Sequence, residues 1–274
     1  MNAWAWDDFA RVAGGVWHAA PHDDALSFVG VSIDTRSIEP GQVFFAFEGE
    51  QVDGHAYLQN ARDGGAGACV VTHTERVPGD LGIPVLAVDD PQAALTRLAS
   101  AWRDRIRAKV IAITGSNGKT TTCRLMEGVC GAAGKTYASP RSFNPALGVP
   151  ITLLNTPIDA EYLVAEVGMS TPGEIAARNA TLRPDVAIIT SIGRAHLEGL
   201  GSIENIAKEK AQLIATSPVD AVGVIPGEIG VLEDALAGDP HRIVRLDVPF
   251  TPEASDADGS TFRIGSASFR VALP

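Results

Sequence analysis

Val110-Ile111-Ala112-Ile113-Thr114-Gly115-Ser116-Asn117-Gly118-Lys119-Thr120-Thr121 joins an apolar run to a glycine-rich turn and then to a lysine and two threonines. The run is short, β-branched and uninterrupted, the pattern of a strand buried in a parallel sheet. Residues 119–133 then read as a helix, with Leu125, Val129 and Cys130 on one apolar face and Gly134 placed to end it. Strand, Gly-rich turn and helix in that order make a phosphate cradle. Successive backbone N–H groups wrap the anion, and the helix N-terminus adds positive potential. Gly115, Ser116, Asn117, Gly118, Lys119, Thr120 and Thr121 are therefore the candidate nucleotide-binding residues. Lys119 would reach the β- and γ-phosphates, and the Thr120 hydroxyl would sit on Mg²⁺. Ile113 stands where the general pattern has glycine, so the turn is a G-x-x-G-K-T variant. The bland alternative is a Gly/Asn turn capping a helix, with Lys119 solvated. It leaves the agreement of strand, turn, Gly-Lys-Thr and helix unexplained.

Outward from the loop, β and α patterns alternate. Strands are predicted over 162–165, 186–190, 219–225 and 242–246, and helices over 173–181, 203–216 and 229–237. Such alternation signals a parallel sheet with helices on both faces. Residues 260–272 alternate about Gly265-Ser266 as a β-hairpin. Upstream, short strands fall within 26–48 around the turn Ile38-Glu39-Pro40-Gly41, and again at 69–71 and 85–88. A short helix is predicted over 56–64. A longer one over 91–107 has Pro91 in its first turn and Leu95, Leu98, Ala99 and Trp102 on one face. The expected architecture is α/β. Residues 1–107 form a small α/β domain, and residues 108–274 form a larger, doubly wound, mostly parallel one.

Composition supports this reading. Hydrophobic residues make up 45% of the 274 and charged residues 20%, enough for a core and unlike a disordered chain. The net charge of −11 and pI near 5.0 argue against nucleic-acid or polybasic membrane binding. A local pocket can still be positive, so an anionic small substrate stays open. Cys69, Cys123 and Cys130 are sparse, odd in number and without a C-x-x-C pair, which suits a reduced compartment. The N-terminus lacks a basic and then apolar leader, and no apolar run approaches the roughly 20 residues of a membrane span. The expectation is a soluble, cytoplasmic protein.

Three further positions carry chemistry. Glu166 follows the apolar strand Tyr162-Leu163-Val164-Ala165, which puts a carboxylate at the carboxyl edge of the sheet, where open α/β folds bind ligands. Mg²⁺ prefers such oxygens, although a strand-end glutamate can simply be solvated. His196 follows the strand at 186–190 in the same way, although most lone histidines are structural. Lys208 and Lys210 lie on the next helix, where the dull reading is two solvated lysines. In the first domain Arg36, after Asp34 and Thr35, could pair with an anionic diphosphate or form an ordinary surface salt bridge. Asp53-Gly54-His55 reads as a turn or a substrate loop.

Four segments together resemble the Mur ligases, the ATP-dependent amide-forming enzymes of peptidoglycan assembly. They are Thr114 to Thr121; Ala165-Glu166-Val167-Gly168-Met169 with Pro172-Gly173-Glu174-Ile175; Thr190 to Ser202, which includes Arg194-Ala195-His196-Leu197-Glu198; and Ile206-Ala207-Lys208-Glu209-Lys210-Ala211. Phe143-Asn144, Gly148 to Leu154 and His196-Leu197-Glu198-Gly199-Leu200-Gly201-Ser202 look like the family's MurF branch. The resemblance implies addition of D-alanyl-D-alanine to UDP-N-acetylmuramoyl-tripeptide, with ATP and Mg²⁺ and with Mn²⁺ able to substitute. It implies catalytic roles for Lys119, His196 and Lys210. The implied metal ligands are Thr120, Glu166, His196 and Lys210 as a carbamate. The implied UDP-sugar contacts are Ser32, Asp34, Thr35, Arg36, Asp53, His55 and Asn144. Pro145 and Ser142 stand where the family usually has asparagine. The family pattern also continues past the hairpin into a further helix and a C-terminal domain. The expectation is therefore a truncated or fragmentary chain, or one served by that domain in trans. Two rivals are a non-catalytic protein binding nucleotide or UDP-muramyl-peptide, and another amide ligase of the superfamily such as a folylpolyglutamate or cyanophycin type. The Asp34-Thr35-Arg36 segment speaks against the second.

Overall fold

The computed structural model describes residues 3–21, 25–49, 51–140, 145–195, 197–227, 229–246, 254–256, 259–264 and 267–272. The first part runs β1 (Ala3–Ala5), α1 (Trp6–Ala13), β2 (Val16–Ala19), β3 (Ala25–Ser27), β4 (Val31–Ser32) and β5 (Val43–Phe45). A 3₁₀ turn (Gly54–Tyr57), α2 (Leu58–Asp63), β6 (Ala68–Val71), a second 3₁₀ turn (Thr74–Arg76), β7 (Val85–Ala87) and α3 (Pro91–Arg103) follow. Five strands form one sheet in the order β2-β7-β6-β5-β4, parallel except for β2. Helix α3 starts where its sequence says. The Asp90 carboxylate accepts from the N–H groups of Gln92 and Ala93 at 2.8 and 2.9 Å, and Pro91 fills the first helical position.

The second part runs β8 (Lys109–Thr114), α4 (Lys119–Gly131), β9 (Thr136–Ala138), α5 (Pro145–Leu154), β10 (Tyr162–Glu166) and α6 (Glu174–Leu182). It continues with β11 (Val186–Ile189), α7 (Leu197–Leu200), α8 (Ile203–Ala215), β12 (Val222–Pro226), α9 (Gly230–Ala235) and β13 (Arg242–Leu246). Its six strands are all parallel, in the order β13-β12-β11-β8-β10-β9. The phosphate-loop strand β8 therefore lies inside the sheet, between β11 and β10. A separate antiparallel sheet joins β14 (Ala254–Asp256), β15 (Gly259–Ile264) and β16 (Ala267–Ala272), with Phe262 opposite Phe269 as the hairpin pattern predicts.

Two sequence expectations need correction. Leu125 and Val129 do not form the inner face of α4: they are 54% and 66% exposed. Cys123 and Cys130, two turns apart, pack instead against Ile111, Ile113 and Val164. Leu125 is two residues past Cys123, which carries it about 200° around the helix and onto the outer face. Helix α5 went unpredicted because Gly148-Val149-Pro150-Ile151-Thr152 are poor helix formers with a proline inside. It is also buried nearly all round, so it shows no amphipathic period.

That buried helix joins the two parts. Leu147, Val149, Ile151, Leu153 and Leu154 belong to one apolar core with Leu95, Leu98 and Trp102 of α3, Leu163 of β10 and Ile175 of α6. The Trp102 indole N–H donates to the Thr156 carbonyl at 3.0 Å. Just past the helix, Asn155 pairs with edge strand β4 as another strand would. Its Oδ1 accepts from the Val31 N–H at 2.7 Å and its Nδ2 donates to the Val31 carbonyl at 3.0 Å. Asn155→Ala leaves both backbone groups without these partners. It should cost about 2–3 kcal/mol in urea unfolding at pH 7; an unchanged midpoint would show that the pairing carries no stability.

Candidate active site

The turn between β8 and α4 is shaped by two glycines. Gly115 has φ +155° and Gly118 has φ +82°, both in the region that disfavours a side chain. A Cβ on Gly115 would also run into the Thr190 hydroxyl oxygen. The loop is stitched to the segment after β11. Ser116 N–H donates to the Ser191 carbonyl at 3.0 Å, and the Ser116 hydroxyl exchanges bonds with the Gly193 carbonyl and N–H at 3.0 and 2.8 Å. Helix α4 has no side-chain cap, so its first N–H groups face the loop's concavity free of such a partner. The Lys119 ammonium folds back onto the Gly115 carbonyl at 2.9 Å.

Glu166 ends β10 beside this loop, because β10 pairs with β8 in a register that sets Glu166 against Ile113. Its Oε2 accepts from the Thr120 hydroxyl at 2.8 Å, so the structure brings two of the sequence-predicted metal ligands into contact. Its backbone N–H donates to the Ser139 hydroxyl oxygen at 3.0 Å, and Ser139 in turn bonds the Thr152 hydroxyl of α5 at 3.0 Å. Carboxylate and hydroxyl oxygens are the hard ligands that Mg²⁺ takes, so these two residues fit that ion. Among the described residues no group of three or more His, Cys, Asp and Glu side chains is arranged to hold a metal. His196 and Asn144 lie outside the described residues.

Lys210 is only 1% exposed, a rare environment for a lysine. Burial pushes its pKa down to about 8, the Lys119 charge adds to the fall, and Glu209 opposes it. Sequence reasoning missed Glu209. Its carboxylate accepts from the N–H groups of Gly173 and Ile175 at 2.8 and 3.0 Å, capping α6 from α8. The available signal was Gly173 before α6, a helix start with no capping side chain of its own. Lys208, by contrast, is exposed, as the solvated reading expects.

In the first part, a cavity of about 530 Å³ opens beyond the carboxyl ends of β4 and β5. Asp34, Thr35, Arg36, Phe47 and Tyr57 line it, and Leu147 reaches it from α5. Ser32 lies behind: its hydroxyl donates to the Asp34 carbonyl at 2.9 Å and accepts from the Asp34 N–H at 3.1 Å. Arg36 grips Asp34 with its Nε at 2.9 Å and its Nη2 at 2.6 Å, and these bonds hold the Asp34 carboxyl down at about 2. Asp53 caps the 3₁₀ turn and pairs with Arg76 at 2.8 Å. His55 is 3% exposed. Its Nδ1 meets Asp53 Oδ1 at 2.7 Å, and its Nε2 accepts from the N–H groups of Thr72 and His73 at 3.2 and 3.3 Å. Both ring nitrogens are engaged inside the fold, so His55 builds the loop whose Gly54 lines the cavity and does not itself face it.

The Lys210 environment fixes a pH dependence. Its pKa is about 8 when folded against an ordinary 10.5, so the unfolded chain binds more protons between those values, and stability rises with pH across that window. Lys210→Met should therefore be more stable than the parent by roughly 2–3 kcal/mol at pH 7, and the gain should shrink towards zero near pH 10.5. Urea unfolding in carbonate-free buffer at both pH values measures this; a gain independent of pH would contradict it.

Comparison with known proteins places this geometry. Residues 113–252 match the family model described as the Mur ligase middle domain, and residues 27–103 match the one described as Mur ligase family, catalytic domain. A UDP-N-acetylmuramoyl-tripeptide--D-alanyl-D-alanine ligase of Bacillus subtilis is 36% identical over 217 residues, covering 79% of this chain and 47% of that protein. Its namesake from Escherichia coli is 35% identical over 200 residues, covering 73% and 43%. The chain thus spans about half the length of the curated relatives it matches. Among solved structures, MurF from Acinetobacter baumannii superposes with a TM-score of 0.79 at 27% identity, over 100% of this chain and 61% of that one. The MurF ligase of Thermotoga maritima in complex with ADP gives 0.73 at 25% identity, over 90% and 58%. A middle-domain match over more than half of the residues, which includes the loop and the strand-end carboxylate, makes this chain a member of the Mur ligase family.

Proposed function

We propose that the chain carries the sugar-nucleotide and ATP sites of a cytoplasmic ligase that adds D-alanyl-D-alanine to UDP-N-acetylmuramoyl-tripeptide. Residues 1–107 take the UDP-sugar and residues 108–274 take ATP. The observation that carries this reading is the Thr120–Glu166 hydrogen bond beside Lys119, at the carboxyl ends of two adjacent parallel strands. The names of the relatives and the ADP-bound neighbour support it. No helix among the described residues is long and apolar enough to cross a membrane.

In this reading the backbone N–H groups from Gly118 to Thr121 receive the phosphates, with Gly115, Ser116 and Asn117 shaping the turn behind them. Lys119 exchanges the Gly115 carbonyl for a phosphate oxygen. Thr120 and Glu166 would hold Mg²⁺, with His196 as a further ligand and Mn²⁺ as an alternative ion. When bound, that ion would supply charge neutralisation for phosphoryl transfer to the peptide carboxylate. Lys210 reacts as the neutral amine with CO₂, forming an N–C bond and releasing a proton, to give a carbamate. The lowered pKa supplies that neutral amine, and the product places an anion where a cation would repel Lys119. Asp34, Thr35 and Arg36 face the sugar nucleotide in the first cavity, with Ser32, Asp53 and His55 supporting them and Asn144 adding a contact.

Calorimetric titration tests the proposal. The parent chain should bind ADP and UDP-N-acetylmuramoyl-tripeptide independently. Lys119→Ala removes a charge-assisted contact of roughly 1.5–3 kcal/mol, so it should weaken ADP at least about tenfold and leave the sugar nucleotide unchanged. Failure to bind either ligand, or ADP binding indifferent to Lys119→Ala, refutes it.

A further inference from the structure

Thr190, Ser191 and Gly193, just after β11, bond to the phosphate loop, and one side chain among them does more than the others. The Ser191 hydroxyl accepts from the Asn117 N–H at 2.9 Å and donates to the Asn117 carbonyl at 3.1 Å. The Ser191 carbonyl also accepts from the Ser116 N–H at 3.0 Å. Thr190 adds its hydroxyl at 2.5 Å from the Asn117 carbonyl, on the far side of the Gly115 close approach. Both peptide groups flanking the middle of the loop are thus held by residue 191.

This changes which donors are left for an anion. The N–H groups of Ser116 and Asn117 point at Ser191 and are spent. The first intrahelical bond of α4 runs from the Thr122 N–H to the Gly118 carbonyl at 2.9 Å, so the N–H groups of Gly118, Lys119, Thr120 and Thr121 precede the helical ladder. They can converge on one phosphate only if the turn ahead of them keeps its shape. A glycine-rich turn left to itself samples many shapes, and ordering it on binding costs affinity. The two bonds from Ser191 prepay that ordering through a residue more than seventy positions away in sequence.

We infer that Ser191 is a positioning residue for nucleotide binding. Its hydroxyl holds Asn117 so that the Gly118–Thr121 N–H groups are pre-set around the terminal phosphate of a nucleoside diphosphate. The inference rests on the phosphate-loop reading above. It adds a residue that touches no phosphate and lies outside the Gly-Lys-Thr motif. It also ties the loop to the residues that follow β11.

The test compares the full chain with Ser191→Ala and Ser191→Thr by calorimetric titration with ADP, and follows amide hydrogen exchange at Ser116 and Asn117. Ser191→Ala should bind ADP roughly 5–10-fold more weakly, the loss expected for about one net hydrogen bond. Exchange at the Asn117 amide should accelerate, while Ser116, bonded to the Ser191 backbone carbonyl, and the melting temperature stay with the parent. Ser191→Thr, which keeps the hydroxyl, should restore ADP affinity to within about twofold of the parent. Unchanged ADP affinity in Ser191→Ala overturns the inference. So does a loss that Ser191→Thr fails to restore, or one that tracks a fall in melting temperature. If the parent chain binds no ADP, the phosphate-loop reading falls and this inference with it; if Lys119→Ala weakens ADP while Ser191→Ala does not, only the inference falls.

Discussion

Burial of helix α5 is the constraint on which the rest of the molecule depends. A helix with apolar residues on nearly every side has to be covered on every side, and no single sheet can do that. Helices α3 and α6 and the edge of the first sheet close around it. The two α/β parts are therefore held in one orientation by a shared core, with the carboxyl ends of strands β4 and β5 and of strands β8 and β10 both served by the same helix. Leu147 on its first turns forms a wall of the first cavity. Thr152, further along, reaches through Ser139 to the backbone of Glu166. One helix thus borders both candidate ligand sites.

The candidate ATP site satisfies itself when no ligand is bound. Lys119 lies on the Gly115 carbonyl, Thr120 on Glu166, and Asn117 on Ser191. Each of these groups has an internal partner of modest strength, whereas the N–H groups from Gly118 to Thr121 precede the helical ladder. Lys210 is the exception. Its ammonium is buried, which disfavours the charge, and the Lys119 charge adds to the penalty. A core built only for stability would not keep a charge there. Although the net charge is −11, Lys119 and the N–H groups ahead of the α4 ladder concentrate positive potential at this sheet edge.

The elements with strong local signatures were legible in the chain. Strand β8, the Gly115–Gly118 turn, α4, α3 with its Asp90-Pro91 start, and strands β10 to β13 follow from period, capping residues and β-branched runs. The phosphate loop and Glu166 were legible too, since a motif between a strand and a helix fixes where its side chains fall along the sheet edge. Elements without a period of their own were not. Helix α5 gives no amphipathic signal, and the inner face of α4 was misplaced because Leu125 and Val129 are more hydrophobic than the cysteines that are buried instead. Hydrophobicity ranks residues, whereas the neighbouring strands decide which face of a helix is turned inward.

By itself the sequence determined the class of the fold, the position of the glycine-rich turn and the identity of the strand-end carboxylate, because each depends on residues close together in the chain. Tertiary structure alone decided what depends on distant residues meeting. It set Thr120 against Glu166, buried Lys210, clamped Asn117 with Ser191, and consumed both nitrogens of His55 inside the loop it builds. Side-chain availability is a property of who the neighbours are, and those neighbours are chosen by sheet register and helix packing across separations that no local pattern spans.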